Sequence, residues 1–198
     1  MSASRVLRFL PLVVLLGVSA CATKPSQINN VCAVFAQNNG WMNNWRRDVA
    51  KASQKYGIPP HIMMATIRME SGFDSRARPR RKSMFFGLIP GPRISSAYGY
   101  SQALDGTWLQ YQKETGNYSA RRTHFGDAAD FVGWYHNKSV RTLGIAPDDA
   151  YSLYLAYYHG HAGFARGSWR NNASIQGYAR KTAEMAAKYQ AQMRTCWR

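Results

Sequence analysis

Residues 59–71 read Pro59-Pro60-His61-Ile62-Met63-Met64-Ala65-Thr66-Ile67-Arg68-Met69-Glu70-Ser71, an apolar run that opens on two prolines and closes on the dipeptide Glu70-Ser71. The proline pair and the apolar spacing predict a helix. In that helix, Glu70 lies three and seven residues beyond Ile67 and Met63, so its carboxyl group projects from the apolar face. Desolvation there would raise the pKa of Glu70 and keep a protonated general acid near neutral pH. On spacing alone, Glu70 could equally be an ordinary polar residue that ends a helix.

The rest of the chain is also helical in pattern, and no run alternates convincingly at period two. Asp105, Asp127 and Asp148 stand where N-caps stand. The sequence therefore predicts an all-α fold in a single domain large enough for a core. The further predicted helices cover 41–56, ended by Gly57; 106–115, stopped by Gly116; 127–142; 148–158; and 174–195.

The first twenty residues have the features of a secretory signal peptide. Arg5 and Arg8 precede an apolar stretch from Phe9 to Ala20, which is short for a membrane span. Residues 1–20 are therefore predicted to be removed from the mature protein.

The end of this signal, Leu15-Leu16-Gly17-Val18-Ser19-Ala20-Cys21, resembles a bacterial lipobox. The resemblance implies that Cys21 carries lipid and that residues 21–40 form a tether leading into the first helix. Residues 22 and 23 are not aspartate, which favours the outer membrane of a Gram-negative envelope, with the protein on its periplasmic face. The alternative is an ordinary cleaved signal that leaves a soluble periplasmic protein.

The cysteine count agrees with an oxidising compartment. Three cysteines are present, and if Cys21 carries lipid, Cys32 and Cys196 remain as a pair. Both fall on apolar helical stripes, so a disulfide between them would fasten the two ends of the domain together. Two buried free thiols are the alternative, which an oxidising periplasm disfavours.

The chain is strongly basic, with a formal net charge of +16 that becomes +14 once the two signal-peptide arginines are removed. Such an excess indicates nucleic acid, anionic lipid or an acidic polymer as partner, or simply aids solubility. A signal peptide argues against nucleic acid. Cell-wall glycan with carboxylate-bearing stem peptides, and the membrane surface that holds the lipid anchor, are the predicted partners.

Residues 76–92 differ from the helical pattern, because a basic run, Arg76 to Lys82, is followed by apolar residues broken by glycine and proline. The composition predicts a long loop that flanks Glu70. Such a loop could contact substrate or membrane, or pack against its own domain.

Three short motifs follow one another along the chain: Glu70-Ser71, Gly99-Tyr100-Ser101-Gln102 and Ala156-Tyr157-Tyr158-His159-Gly160. Together they resemble the lytic transglycosylases of the soluble-transglycosylase type, which are related in fold to goose-type lysozyme, over roughly residues 41–190. The chain departs from the family at Tyr100-Ser101, where Leu-Met is usual, and at Tyr158, where Asn is usual. The longer interval between Glu70 and Gly99 indicates a divergent lipoprotein branch.

The resemblance implies that residues 41–198 form a lysozyme-like domain that cleaves the β-1,4 bond between N-acetylmuramic acid and N-acetylglucosamine. Glu70 would be the catalytic acid and base, and the product a 1,6-anhydro-muramoyl end. Substrate-binding roles fall to the residues matched to the motifs and to neighbouring aromatics: Ser71, Gln102, Tyr157, Tyr98 and Tyr100. A lysozyme-like muramidase and a non-catalytic peptidoglycan-binding lipoprotein are the alternatives.

Some of these side chains also have simpler interpretations. The Ser71 hydroxyl could bond local helix backbone. Tyr98, Trp108 and Trp134 could stack on sugar rings, but large aromatics in a helical domain are more often core.

The acidic residues favour chemistry with one carboxyl group. Glycoside hydrolysis ordinarily uses two carboxylates, and most of the other acids are explained by helix ends. A reaction in which the muramic 6-hydroxyl replaces water needs only one, and it gains from intramolecular proximity. His159 and His161 lack further ligands nearby, so no metal or other cofactor is predicted.

Overall fold

The computed structural model describes residues 24–41, 43–79, 83–84, 89–90 and 95–197. The predicted signal peptide, the lipidation site Cys21 and most of the predicted loop over 76–92 lie outside the described residues.

Within these ranges the chain forms seven α-helices and one pair of very short strands, which confirms the predicted all-α fold. None of the described helices is both long and apolar enough to cross a membrane. The helices are α1 (Val31–Gln37), α2 (Trp45–Tyr56), α3 (Pro60–Ser71), α4 (Asp105–Thr115), α5 (Phe125–Leu143), α6 (Ala150–Ala165) and α7 (Ala173–Cys196), and the antiparallel strands are β1 (Ser83–Met84) and β2 (Ile89–Pro90).

Helix α5 is the centre of the domain, because α2, α3, α4 and α6 all pack against it, while α7 covers α3 and α6. One aromatic cluster joins α2 to α5 through Trp45, which stacks on Phe125 with 4.0 Å between ring centroids. A second cluster surrounds Phe131 and contains Trp108 and Trp134, both almost fully buried. The core interpretation is therefore the right one for these two tryptophans.

Two predicted N-caps on α4 and α5 are wrong. The cap of α4 is Leu104, and Asp105 lies in the first helical turn, where its carboxylate pairs with Arg122 at 2.6 Å. The cap of α5 is His124, whose side chain accepts from the backbone N–H of Asp127. Both aspartates still oppose the positive end of a helix dipole, which is why the sequence pattern resembles a cap.

The predicted start of α6 is wrong. Asp149, not Asp148, caps the helix, accepting a hydrogen bond from the backbone of Ser152 at 3.0 Å. The first helical stretch is interrupted at Gly160, close to the predicted end at 158, and a second stretch continues to Ala165. Gly160 has φ 71° and ψ 158°, a combination open essentially only to glycine, so it forms the kink between the two stretches.

The predicted disulfide between Cys32 and Cys196 is present and joins α1 to the last residue of α7. The cysteines are 164 residues apart in sequence, with a Cα–Cα distance of 5.7 Å. Arg46 supports the bridge by donating to the Cys196 carbonyl oxygen at 3.1 Å. The bridge thus ties the two ends of the domain together covalently. It lies where α1 packs against α7, the helix that also covers α3.

Candidate active site

Glu70 is the penultimate residue of α3, two positions before Gly72, which ends the helix in the left-handed conformation. Its neighbours on the same helical face, Met63 and Ile67, are fully buried, while Glu70 itself keeps partial contact with solvent. Burial raises the pKa of the Glu70 carboxyl to about 7, and a hydrogen bond from Tyr154 acts in the opposite direction. The carboxyl group is therefore divided between its acid and base forms near neutral pH.

Tyr154 of α6 is the hydrogen-bond partner of Glu70 and is a site residue that the sequence analysis missed. Its ring is nearly buried, and burial, followed by the Glu70 charge, raises the pKa of its hydroxyl far above the ordinary value. The phenol consequently stays protonated and remains a donor. Tyr154 lies three residues before the motif residue Tyr157, so the two side chains share one face of the helix. That spacing was the signal in the sequence that could have placed Tyr154 beside Glu70.

We expect Tyr154→Phe to raise the pKa of Glu70 further, because the lost hydrogen bond stabilises the ionised form. Tyr151→Phe, on the same helix but without a hydrogen bond to Glu70, is the matched control. Carboxyl-carbon NMR of selectively labelled glutamate, followed against pH, measures the change directly. An unchanged titration midpoint in Tyr154→Phe would show that the hydroxyl does not act on the acid.

Tyr157 approaches Glu70 closely enough for the charge of the carboxylate to affect its phenol, yet its hydroxyl donates elsewhere, to the backbone oxygen of Ser101 at 2.6 Å. Its ring packs against Tyr135 and His136. Tyr157 thus lies beside Glu70, and its hydrogen bond to Ser101 holds the turn over 98–103 against α6.

The 98–103 turn carries the second motif and is held by Gln102. The Gln102 side-chain amide donates to Ala77 and Gly99 carbonyl oxygens at 2.9 and 2.8 Å, and Gln102 itself has a positive φ of 49°. This predicted substrate-binding residue therefore uses its N–H groups to close the turn against the segment that follows α3. Tyr98 lies at the rim of the turn, with the Arg78 guanidinium 3.9 Å from its ring centroid.

Two further predicted contacts have structural roles. Tyr100 is 1% exposed and packs edge-on against Trp45 and Phe125, so its ring belongs to the core, and its contact with substrate stays a prediction. The Ser71 hydroxyl donates to the Ile67 carbonyl oxygen at 3.1 Å, the local backbone bond that the sequence left open.

Gly99 is required by the path of this turn. Its φ is 76°, and a Cβ atom placed on it would stand 2.2 Å from the backbone oxygen of Arg122. Gly99→Ala should therefore lower the unfolding free energy by roughly 3 kcal/mol. Denaturant unfolding measures the loss, with Gly106→Ala in the first turn of α4 as control, where a Cβ meets nothing within 4 Å. Equal stability of the two variants would contradict the close approach.

A cavity of about 420 Å³ lies beside Tyr154, between α6 and the start of α7. Tyr158 and Tyr178 border it with rings that are 59% and 51% exposed, and Asn172 and Ser174 add polar groups. Exposed aromatic faces combined with hydroxyl and amide groups suit a sugar, which has apolar faces and polar edges. Tyr158 occupies the position where the resembled family usually has Asn.

All ten acidic residues of the chain lie in described segments. None of the other nine contributes to the pKa of Glu70. Seven of them have direct contacts of their own: Asp48 with Arg47, Asp74 with the Arg76 backbone, Asp105 with Arg122, Glu114 with Lys138, Asp127 with His124, Asp130 with Lys55 and Asp149 with the Ser152 backbone. The Glu70 carboxyl group is therefore electrostatically separate from the other carboxyl groups of the chain.

The histidines after Tyr157 have packing roles. His161 stacks on Tyr135 and lies 3.0 Å from the Ser139 hydroxyl through Nε2. Among the described residues, no group of three or more histidine, cysteine or acidic side chains is arranged to hold a metal ion.

No curated protein sequence matches the chain at a significant level. A protein-family model described as Transglycosylase SLT domain matches residues 9–196, which is nearly the whole chain. That family is lysozyme-like, all-α and acts on peptidoglycan as lytic transglycosylases, and this chain belongs to it.

Proposed function

We propose that this protein is a peptidoglycan lytic transglycosylase in which Glu70 is both general acid and general base. The observation that carries the proposal is the state of the Glu70 carboxyl group, which is half-buried, has a pKa of about 7 and has no second carboxyl group acting on it. General acid and base catalysis is most effective when the pKa lies near the working pH.

The proposed reaction has two proton transfers. Glu70 first donates its proton to the glycosidic oxygen as the bond from that oxygen to C1 of the muramic sugar breaks, which releases the N-acetylglucosamine hydroxyl. The Glu70 carboxylate then accepts the proton of the muramic 6-hydroxyl as O6 forms a bond to C1. Glu70 is again protonated at the end, no water is consumed, and the muramic sugar carries a 1,6-anhydro ring.

The single carboxyl group supports this reaction over hydrolysis. A hydrolase ordinarily uses a second carboxylate to activate water or to form a glycosyl intermediate. The intramolecular 6-hydroxyl needs neither, because the sugar supplies its own nucleophile in place. Tyr154 donates to the carboxylate and keeps it oriented between the two steps.

Purified sacculi digested with the domain lacking its lipid test the proposal. Muropeptides analysed by mass spectrometry should be one water lighter than the products of hydrolysis. Release of reducing-end products would assign a lysozyme-like muramidase instead, and absence of release with retained sacculus binding would assign a binding lipoprotein.

We also propose that Cys21 carries lipid and anchors the domain at the periplasmic face of the outer membrane, on the basis of the lipobox-like sequence. Incorporation of labelled fatty acid that disappears in Cys21→Ser, together with membrane fractionation, tests the anchor and its location.

A further inference from the structure

A second cavity, of about 550 Å³, opens between the start of α2 and the segment that precedes α5. It is larger than the cavity beside Tyr154, and neither Glu70 nor Tyr154 lines it. Its basic lining residues are Arg76, Arg121 and His124, and Ser75 and Thr123 add hydroxyl groups. Its size is within the range of cavities that hold a small ligand or one to two amino-acid residues.

Nearby acidic groups balance the positive charge of this cavity only in part. The Arg76 and Arg121 side chains are exposed, and within the described part of the chain neither guanidinium forms an ion pair. Two acidic residues lie beside the cavity. Asp127 is 3.2 Å from the His124 ring and accepts from the Arg121 backbone N–H at 2.9 Å, and Asp74 accepts from the Arg76 backbone N–H at 2.8 Å. Two guanidinium groups in one concave site favour a carboxylate, which each can bind through two parallel hydrogen bonds.

The cavity and Glu70 lie on either side of the same turn. Tyr98 of the 98–103 turn lines the cavity, while Ser101 of that turn accepts the hydrogen bond from Tyr157 beside Glu70. Arg76 follows Glu70 by six residues, so their Cα atoms are at most about 20 Å apart. An extended tetrapeptide spans roughly 14 Å before its side chains are counted. A peptide attached to a sugar at Glu70 covers most of this upper limit, and the long side chain of Arg76 shortens the remaining gap.

We propose that this cavity binds a carboxylate of the peptide stem carried by the muramic sugar, so that the protein recognises the peptide as well as the glycan. The proposal rests on the function proposed above, because it takes the substrate to be peptidoglycan. Arg76 and Arg121 hold the carboxylate, and the Ser75 and Thr123 hydroxyl groups and the Tyr98 ring border the rest of the peptide. Stem-bearing strands are then preferred over bare glycan.

The test compares two substrates and two double variants. Intact sacculi and glycan stripped of its peptides by an amidase are digested by the wild type, by Arg76→Gln/Arg121→Gln and by Arg141→Gln/Arg194→Gln. The last pair removes the same charge from exposed positions in the final turns of α5 and α7. The ratio of the rates on intact and stripped substrate should fall about tenfold in the cavity variant, as expected for a lost charge-assisted hydrogen bond. The ratio in the control variant should equal that of the wild type.

A binding measurement without turnover separates this proposal from the proposed function. Soluble stem tetrapeptide is titrated by NMR into Glu70→Gln and into the same chain carrying the two cavity substitutions. Binding that is at least tenfold weaker in the second protein, and weaker in high salt, supports the site even if no protein releases product. Equal binding to both proteins, or an equal rate ratio in all three enzymes, overturns the proposal.

Discussion

Glu70→Gln should reduce the release of muropeptides from sacculi by about 10²–10⁴-fold or more, because glutamine can neither donate the proton to the leaving oxygen nor accept one from the 6-hydroxyl. The substitution keeps the size of the side chain and its place at the end of α3. Glu184→Gln, an exposed carboxyl-to-amide change on α7, is the matched control and should retain wild-type rates. The initial rate of muropeptide release at saturating enzyme is measured for both variants. Activity of Glu70→Gln near that of the control would remove Glu70 from the mechanism.

The same variant should differ from the wild type in the pH dependence of its stability. Burial holds the pKa of Glu70 at about 7 in the folded chain, against 4.5 for an exposed glutamate, so the folded state binds the proton more tightly. The wild type should therefore lose stability relative to Glu70→Gln as the pH rises from about 4.5 to about 7, and no further difference should develop above that range. The raised pKa of Asp48 acts in both proteins and cancels in the comparison.

Removal of the disulfide should have the largest effect on stability. In the chain-entropy treatment, opening a closed loop of 164 residues costs about 5 kcal/mol of unfolding free energy. That is a large fraction of the roughly 5–15 kcal/mol that stabilises a typical domain. Cys32→Ser/Cys196→Ser should therefore unfold at a much lower denaturant concentration than the wild type.

Other contacts should keep the ends of the domain together in the folded double variant. The side chain of Gln192 accepts from the Val31 backbone at 2.8 Å, and the Tyr189 hydroxyl donates to the Ile28 carbonyl oxygen. The native spectrum should therefore persist in the absence of denaturant. Guanidinium unfolding with and without reductant measures the loss, and reductant should move the wild-type midpoint to that of the variant. Coincident midpoints for oxidised wild type and variant would contradict the stabilising role.

The helix that carries Glu70 could be predicted because its signals are local. Pro60 opens α3, Gly72 closes it, and the apolar spacing between them sets which face is buried. The pairing of Cys32 with Cys196 followed from counting, given that Cys21 was assigned to lipid. Signals of this kind need no knowledge of how the helices pack.

The sequence is less informative where long-range packing decides between local alternatives. Tyr98 and Tyr100 sit two residues apart in one turn, and only the aromatic cluster around Trp45 determines that Tyr100 faces inward. Tyr154 looks like one of several core tyrosines until α6 packs near α3 and brings its hydroxyl to Glu70. At Gly160 the sequence cannot distinguish the end of a helix from a kink, because glycine permits both.

The central claim is that Glu70 alone acts as acid and base while C1 of the muramic sugar forms a bond to O6 of the same sugar. Water is not the nucleophile. Digestion of sacculi in ¹⁸O-labelled water, followed by mass spectrometry of the released muropeptides, tests it most directly. We expect products one water lighter than hydrolytic muropeptides and free of ¹⁸O at the cleaved end. Products that carry one ¹⁸O atom on a reducing muramic end would contradict the account, because water would then be the nucleophile.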